Sequence, residues 1–187
     1  MKKNNIFYIL GAILIAASLF LLLMQKKTLA DMNTRIQSTT QLIQTSLPQR
    51  TSAVENQYTN TDMPVLNISG VDYCALLEVP DASVVLPVAN VWNNAELTPE
   101  RYYGSVYNGT MIIGGKGTEN QLGFVTQLDL GNRITVVDMY GGQFNYIVER
   151  IDRAKSLDKE SLSSADYQLT LFAYIAKEKK YVVVRCR

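Results

Sequence analysis

Residues 133–151 read RITVVDMYGGQFNYIVERI, and this stretch decides the class of fold. Two runs rich in β-branched and aromatic residues flank Gly141 and Gly142, which tolerate the positive backbone angles of a tight turn. The stretch therefore predicts a β-hairpin with strands over residues 133–139 and 143–151. Similar runs bounded by turn residues lie on both sides of it. They cover residues 73–79, 84–88, 110–113, 167–174 and 180–185.

Seven or eight short strands of this kind predict one mostly β domain over residues 64–187. Residues 122–128 form the short helical candidate within it. The pattern predicts a mostly antiparallel barrel or sandwich, and closure is favoured because it hides strand edges.

An uninterrupted apolar run precedes this domain, from Ile6 to Met24. In a helix it is long enough to cross a hydrocarbon core of ~30 Å. A cleaved signal peptide is the alternative, because Thr28-Leu29-Ala30 resembles a cleavage site, but the apolar run is longer than such segments usually are. We expect residues 1–25 to be a cytoplasmic tail and an uncleaved membrane anchor, with the domain on the extracytoplasmic side.

Residues 26–63 are polar and predict a stalk or linker between the anchor and the domain. Apolar residues recur in it at helical spacing, at Leu29, Met32, Ile36, Ile43 and Leu47. This pattern indicates an amphipathic helix that ends at Pro48. The helix either lifts the domain off the membrane or pairs two copies as a short coiled coil. Residues 51–61 have the composition of a flexible tether.

The composition argues against several classes of function. The 18 basic and 17 acidic side chains give a formal net charge of +1, which creates no field to attract nucleic acid. The absence of histidine removes the usual general base and the commonest metal ligand. Cys74 and Cys186 do not form a zinc motif, and the acidic residues are too scattered for a calcium loop. We therefore expect no metal, no cofactor and no nucleic-acid partner.

Three segments resemble the sortase family and occur in the family's order. VDYCALLEVPDASVVLPV, residues 71–88, is similar to its opening strands, and GTMIIGGKG, residues 109–117, resembles the strand that ends in Gly-His. LTLFAY, residues 169–174, and KYVVV, residues 180–184, are similar to the strand ending in the catalytic cysteine and the later strand that begins with arginine. The resemblance, closest to class B, spans residues 64–187. It implies a closed β-barrel of about seven or eight strands with one or two short helices.

The resemblance also implies that the catalytic residues are missing. The histidine position is Gly115, the cysteine position is Tyr174, and the arginine position is Lys180, or Lys179 with a slip of one residue. Tyrosine has a pKa of ~10, and there is no histidine to accept its proton, so it is a poor nucleophile at neutral pH. The expected protein is thus a catalytically inactive pseudo-sortase of a Gram-positive cell surface.

Such a protein would keep the family's peptide groove. We expect Tyr174, Lys180 and Thr170 to bind peptide, and residues 152–166 to add specificity. The partner implied by the resemblance is a surface-protein sorting signal, a pilus subunit or a partner sortase.

Two other functions stay open. The fold could carry a cysteine-independent transpeptidase or hydrolase, in which a lysine activates a hydroxyl. The side chains available for it include Ser161, Ser163, Ser164, Thr170, Lys177 and Lys180. The domain could instead be a structural scaffold of a surface assembly. Cys186 could be a free thiol, the disulfide partner of Cys74 or a displaced nucleophile.

Overall fold

The structure is a computed structural model that describes residues 3–49, 51–52, 62–163 and 166–187. The chain divides into two compact units, Met1–Arg35 and Ile36–Arg187. The described helices are α1 (Lys3–Ser46) and α2 (Lys159–Leu162), with 3₁₀ helices η1 (Pro80–Ala82), η2 (Val106–Asn108) and η3 (Leu122–Thr126). The described strands are β1 (Thr51–Ser52), β2 (Leu66–Ile68), β3 (Val71–Val79), β4 (Val84–Ala89), β5 (Glu100–Tyr103), β6 (Met111–Lys116), β7 (Arg133–Asp138), β8 (Gly142–Ala154), β9 (Leu169–Ile175) and β10 (Lys180–Cys186).

Eight of the described strands close into a barrel. Their order is β8, β10, β9, β6, β5, β4, β3 and β7, and β7 pairs with β8 to complete the ring. The pairing is antiparallel except between β4 and β5 and between β6 and β9. Each of the seven strands expected from the sequence is present, so the predicted closed, mostly β barrel is confirmed.

Three short strands, β1, β2 and β5, are not predicted by the sequence pattern. They contain two, three and four residues, too few for an alternating pattern to be recognised. β2 extends the sheet beside β3, and β1 pairs in parallel with the start of β8.

The hairpin between β7 and β8 is held by a buried carboxylate. Asp138 is fully buried and accepts hydrogen bonds from the Tyr107 hydroxyl at 2.7 Å, Tyr140 N at 2.9 Å and Gly142 N at 2.8 Å. Gly141 has a φ of +82°, which a side chain would disfavour. The turn predicted from the two glycines therefore also depends on a carboxylate three residues before the first of them.

Alternation along β9 separates the core from the surface that carries the candidate site. Leu169, Leu171 and Ala173 have no exposed surface, and they pair with alternate residues of β6. The intervening residues Thr170, Phe172 and Tyr174 point to the opposite face of the strand. We call this second face the cleft face. Phe172 packs there in a cluster with Ile112, Leu162, Val183, Trp92 and Tyr102.

The end of α1 packs on the barrel unit. Ile43 is fully buried in a cluster with Tyr73, Leu76 and Val137, and Ile36, one heptad earlier, is also buried. The helix ends at Ser46, just before Pro48. Within the unit Ile36–Arg187, the apolar stripe of the stalk is thus covered by the chain's own barrel. Of the predicted tether, Thr51 and Ser52 form β1, and residues 53–61 lie outside the described residues.

The first unit contains the apolar part of α1. Its large apolar side chains from Leu10 to Met24 are exposed, and the helix is long and apolar enough to cross a membrane. This agrees with the expectation from the sequence that the N-terminal segment can cross a membrane.

Candidate functional site

The candidate site lies where β6 and β9 run side by side. Their register pairs Gly115 with Ala173 and Lys116 with Tyr174. Lys116 and Tyr174 therefore share the cleft face. A cavity of about 380 Å³ opens beside them, and we call it the Tyr174 cleft. Its lining includes Trp92, Lys116, Thr118, Phe172, Tyr174 and Tyr181, together with the backbone of Gly115 and Gly117.

Glycines let the backbone of β6 approach its neighbours closely. A Cβ on Gly114 would lie 2.5 Å from ring atoms of both Trp92 and Phe172. A Cβ on Gly115 would lie 2.8 Å from the side chain of Leu122. Both distances are shorter than real contacts, so any side chain at either position requires its neighbours to shift. The absence of a side chain at Gly115 is therefore part of how this region packs.

Aromatic rings form most of the walls of the cleft. Trp92 lies 5.3 Å from Tyr102 and 5.7 Å from Phe172 between ring centroids, and Tyr102 meets Phe172 edge to face at 5.3 Å. Tyr174 lies 5.1 Å from Tyr181 and is 44% exposed. These geometries are typical of favourable aromatic pairs. The cleft therefore presents apolar rings together with two tyrosine hydroxyls and one lysine side chain.

A buried glutamate positions the loop that carries Trp92. Glu100 is 7% exposed, and its carboxylate accepts hydrogen bonds from the backbone N–H groups of Asn93 and, at 2.8 Å, Ala95. Two charge-assisted bonds to neighbouring amides fix the path of residues 90–99. No periodic or motif signal in the sequence identifies Glu100.

A buried glutamine joins the same loop to β6. Gln121 is 1% exposed; its Oε1 accepts from Lys116 N at 2.8 Å, and its Nε2 donates to Ala95 O at 3.0 Å. It thereby connects the strand end beside Tyr174 to the loop that supplies Trp92. Sequence reasoning missed Trp92, Glu100 and Gln121, since their roles arise from contacts between distant segments.

Comparison with solved structures identifies the fold. The sortase D5 transpeptidase of Clostridium perfringens matches with a TM-score of 0.53 at 18% identity, over 62% of this chain and 78% of its own. Sortase A of Corynebacterium diphtheriae matches with a TM-score of 0.54 at 17% identity, over 63% and 60%. Sortase A of Listeria monocytogenes matches with a TM-score of 0.51 at 14% identity, over 62% and 87%. This chain has the sortase fold.

No protein-family model and no curated protein matches the chain. At identities below 20%, the likeness establishes the sortase fold and leaves activity to be argued from the residues.

The structure places the expected site residues of this sortase-fold domain in different surroundings. Gly115 and Tyr174 both line the Tyr174 cleft. Thr170 is buried and lines a separate cavity of about 200 Å³ with Ile112 and Tyr167. Lys180 pairs with Ile175 at the start of β10 and lies outside the lining of the cleft.

Both thiols of the chain are buried in the sortase-fold barrel, and neither forms a disulfide. Burial raises the pKa of Cys74 to about 12, against the opposing positive charge of Arg101. Burial also raises the pKa of Cys186 to about 12, and the negative charge of Glu149 adds to the shift. A thiol with such a pKa has almost no thiolate at neutral pH.

Within the described residues, no group of three or more histidine, cysteine, aspartate or glutamate side chains could hold a metal ion. Of the hydroxyls considered for lysine activation, that of Ser161 donates a hydrogen bond to Asp158 O at the start of α2, and Ser161 N donates to Asp158 Oδ1. Ser164 lies outside the described residues. Thr118, which sequence reasoning did not single out, lines the Tyr174 cleft together with Lys116.

Proposed function

We propose that this protein is a membrane-anchored pseudo-sortase that binds an extended peptide at the cell envelope without cleaving it. The peptide would be a surface-protein sorting signal, a segment of a pilus subunit or a segment of a partner sortase. The observation that carries the proposal is that both thiols, Cys74 and Cys186, are buried, whereas Tyr174, which the sequence resemblance aligns with the nucleophile, lines the cleft.

The argument against transpeptidation is chemical. Attack on a peptide carbonyl by a thiol needs a thiolate, and departure of the amine needs a proton donor. The raised pKa values of Cys74 and Cys186 remove the thiolate, and the sequence contains no histidine. Tyr174 is 44% exposed, and the chain has no imidazole to take the proton of its hydroxyl.

The argument for peptide recognition rests on the surface that remains. Trp92, Phe172, Tyr174 and Tyr181 give the cleft broad rings that can pack against peptide side chains. Lys116 adds one positive charge to the same cavity, which suits a carboxylate or a backbone carbonyl of the ligand. Tyrosine and tryptophan are enriched among the residues that dominate binding energy in interfaces.

Membrane anchoring supports the envelope as the site of action. The apolar part of α1 would span the bilayer, with the short N-terminal tail in the cytoplasm and the barrel outside. A tethered recognition domain gains a high local concentration near other envelope proteins.

The test uses the full chain in detergent micelles and a panel of surface-protein sorting-signal peptides. Trp92 is the single tryptophan of the chain, so its fluorescence reports on ligands that enter the cleft. Saturable binding is expected, with no product detectable by mass spectrometry after incubation with an amine nucleophile. Turnover of any peptide would contradict the proposal, as would failure of the whole panel to bind.

Tyr174→Ala is the variant that localises binding. Loss of the exposed ring should weaken affinity about tenfold, equivalent to ~1.4 kcal/mol. Tyr140→Ala is the matched control, because Tyr140 is 68% exposed on the β7–β8 turn and does not line the cleft. Equal effects of the two substitutions would place the ligand elsewhere.

One observation favours a second candidate function. Lys116 and Thr118 line the same cavity, so a lysine-activated hydroxyl could serve a hydrolase or transpeptidase of another mechanism. This alternative predicts covalent labelling of Thr118 by an acyl-transfer probe, and loss of the label in Lys116→Met. An unlabelled protein between pH 6 and 9 would exclude it.

A further inference from the structure

A second cavity, larger than the Tyr174 cleft, opens between the start of β3, the end of β4 and the loop of residues 90–99. Its volume is about 650 Å³, and Trp92 lines both this cavity and the Tyr174 cleft. The charged side chains in its lining are all carboxylates, those of Asp72, Glu96 and Glu100. We call this cavity the acidic groove.

Two basic side chains contact the loop that borders the acidic groove, but both are used elsewhere. Arg101 donates from Nε to Asn90 O and from Nη1 to Gly104 O, each at 3.1 Å. Lys116 Nζ reaches the backbone oxygen of Glu96 at 3.5 Å and lines the Tyr174 cleft. Among the described residues, no lysine or arginine lines the acidic groove or forms an ion pair with its three carboxylates. The groove therefore carries negative charge that these residues do not neutralise.

Glu100 is the buried member of this set. It is 7% exposed, whereas Asp72 and Glu96 are exposed. The two amide hydrogen bonds that it accepts, from Asn93 and Ala95, both go to Oε2. Its Oε1 has no hydrogen-bond partner among the described residues and is not sealed from solvent. Carboxylates are seldom buried without a cation, so one oxygen is left open to a donor that enters the groove.

The remaining walls of the acidic groove suit a flat cation on an apolar stem. Val91 is 66% exposed and Val71 is 37% exposed, and both line the groove together with Leu97 and Trp92. A guanidinium stacks on an indole ring and is less strongly hydrated than an ammonium. Its five donors can reach carboxylates that are spread around the walls. Its methylene stem and the residues that flank it in a protein segment can pack on the exposed valines.

We propose that the acidic groove binds an arginine side chain of a protein partner, with the guanidinium stacked on Trp92 and hydrogen-bonded to Glu100 Oε1. The exposed carboxylates of Asp72 and Glu96 attract the same cation, and salt weakens their contribution. This site goes beyond the peptide contact proposed at the Tyr174 cleft and does not depend on it.

The probes are three capped pentapeptides that differ in one side chain. The first has the sequence Gly-Val-Arg-Val-Gly, and the others carry citrulline or lysine in place of arginine. Citrulline has the shape of arginine without its charge, whereas lysine has the charge without the flat guanidinium. The full chain is titrated in detergent micelles. The emission of Trp92, the single tryptophan of the chain, reports occupancy of the groove.

We expect saturable binding of the arginine peptide that added salt weakens. The citrulline peptide should bind about tenfold less tightly, because it lacks the charge-assisted hydrogen bonds. The lysine peptide should bind about threefold less tightly, because an ammonium is more strongly hydrated and does not stack as a plane. Equal affinity for arginine and citrulline, a preference for lysine, or no binding of the arginine peptide overturns the proposal.

Glu100→Gln tests the buried oxygen, because glutamine has the same shape and its amide oxygen can keep both backbone hydrogen bonds. Its NH₂ group then takes the place of Oε1, so the groove presents a donor where arginine needs an acceptor. Binding of the arginine peptide should weaken about tenfold. Glu119→Gln is the matched control, since Glu119 is exposed and lines a different cavity of about 500 Å³. It should leave the affinity unchanged, and equal effects of the two substitutions contradict the assignment.

If Glu100→Gln does not fold, the double variant Asp72→Asn and Glu96→Gln replaces it. This variant removes the two exposed charges and should weaken binding of the arginine peptide about fivefold. Unchanged affinity in the variant that folds overturns the site. Tyr174→Ala should leave the affinity unchanged, since Tyr174 does not line the acidic groove. Loss of binding in Tyr174→Ala alone would place the arginine in the Tyr174 cleft and overturn the second site.

Discussion

The β7–β8 turn and the Tyr174 cleft use buried polar groups in opposite ways. At the turn, the fully buried Asp138 carboxylate receives three hydrogen bonds from its immediate surroundings. At the cleft, the buried groups Glu100 and Gln121 hold the loop of residues 90–99, and β6 contributes glycines. The first region stabilises the barrel, whereas the second shapes an opening on its cleft face.

The two regions also differ in what packs against their backbone. Gly114 and Gly115 accept rings and aliphatic side chains against their backbone. Polar atoms around the cleft are occupied in positioning segments, as with both ends of the Gln121 amide. The cleft is lined by aromatic rings and one lysine, and the sequence has no histidine.

The largest effect should come from breaking the turn. Asp138→Leu leaves the Tyr107 hydroxyl and two amides without their acceptor, so the free energy of unfolding should fall by about 3–5 kcal/mol. Urea denaturation measures the change. Tyr107→Phe removes a single bond and should cost only about 1 kcal/mol. Equal losses in the two variants would show that the backbone amides contribute little.

The buried thiols should make the barrel sensitive to high pH. Because the folded-state pKa values of Cys74 and Cys186 are raised from 9.0 to about 12, only the unfolded state ionises between these values. The stability that these two neutral thiols contribute is therefore fully present below pH 9 and is lost as pH rises towards 12. At pH 10 the loss should be about 1.4 kcal/mol for each thiol.

Denaturation midpoints at pH 8 and pH 10 measure this loss. The double variant Cys74→Ala and Cys186→Ala should lose most of the pH dependence, whatever its stability at pH 8. Rapid alkylation of either thiol in the folded wild type at pH 8 would contradict the burial argument.

Gly114→Ala should affect the cleft more than the rest of the barrel. The added methyl group meets both Trp92 and Phe172, and overpacking of this kind costs about 1–3 kcal/mol. The emission of Trp92 should change together with the melting temperature. A stable variant with unchanged Trp92 emission would mean that the rings are free to move away.

The smallest effect is expected at Lys180. Lys180→Met should change peptide affinity less than twofold, because Lys180 lies outside the lining of the cleft. Lys116→Met is the comparison, since Lys116 lines the cavity and should matter more. A larger effect of Lys180 would restore the role that the sequence resemblance implies for it.

Sequence and structure agree best where the signal is local. Alternation and turn residues predicted seven strands, and each is present because its own side chains favour a pleated, half-buried strand. The stalk was less predictable. The spacing of Ile36 and Ile43 predicted a helix, but only packing shows that these residues are buried with the barrel unit.

The sequence by itself determined the closed β architecture, the apolar helix and the absence of imidazole, since these depend on composition and short-range pattern. Only the tertiary structure decided that Thr170 and Lys180 lie outside the Tyr174 cleft, and that Glu100 and Gln121 hold the loop whose Trp92 lines it. The physical reason is that strand register and loop closure bring together residues far apart in sequence. No local pattern encodes those contacts.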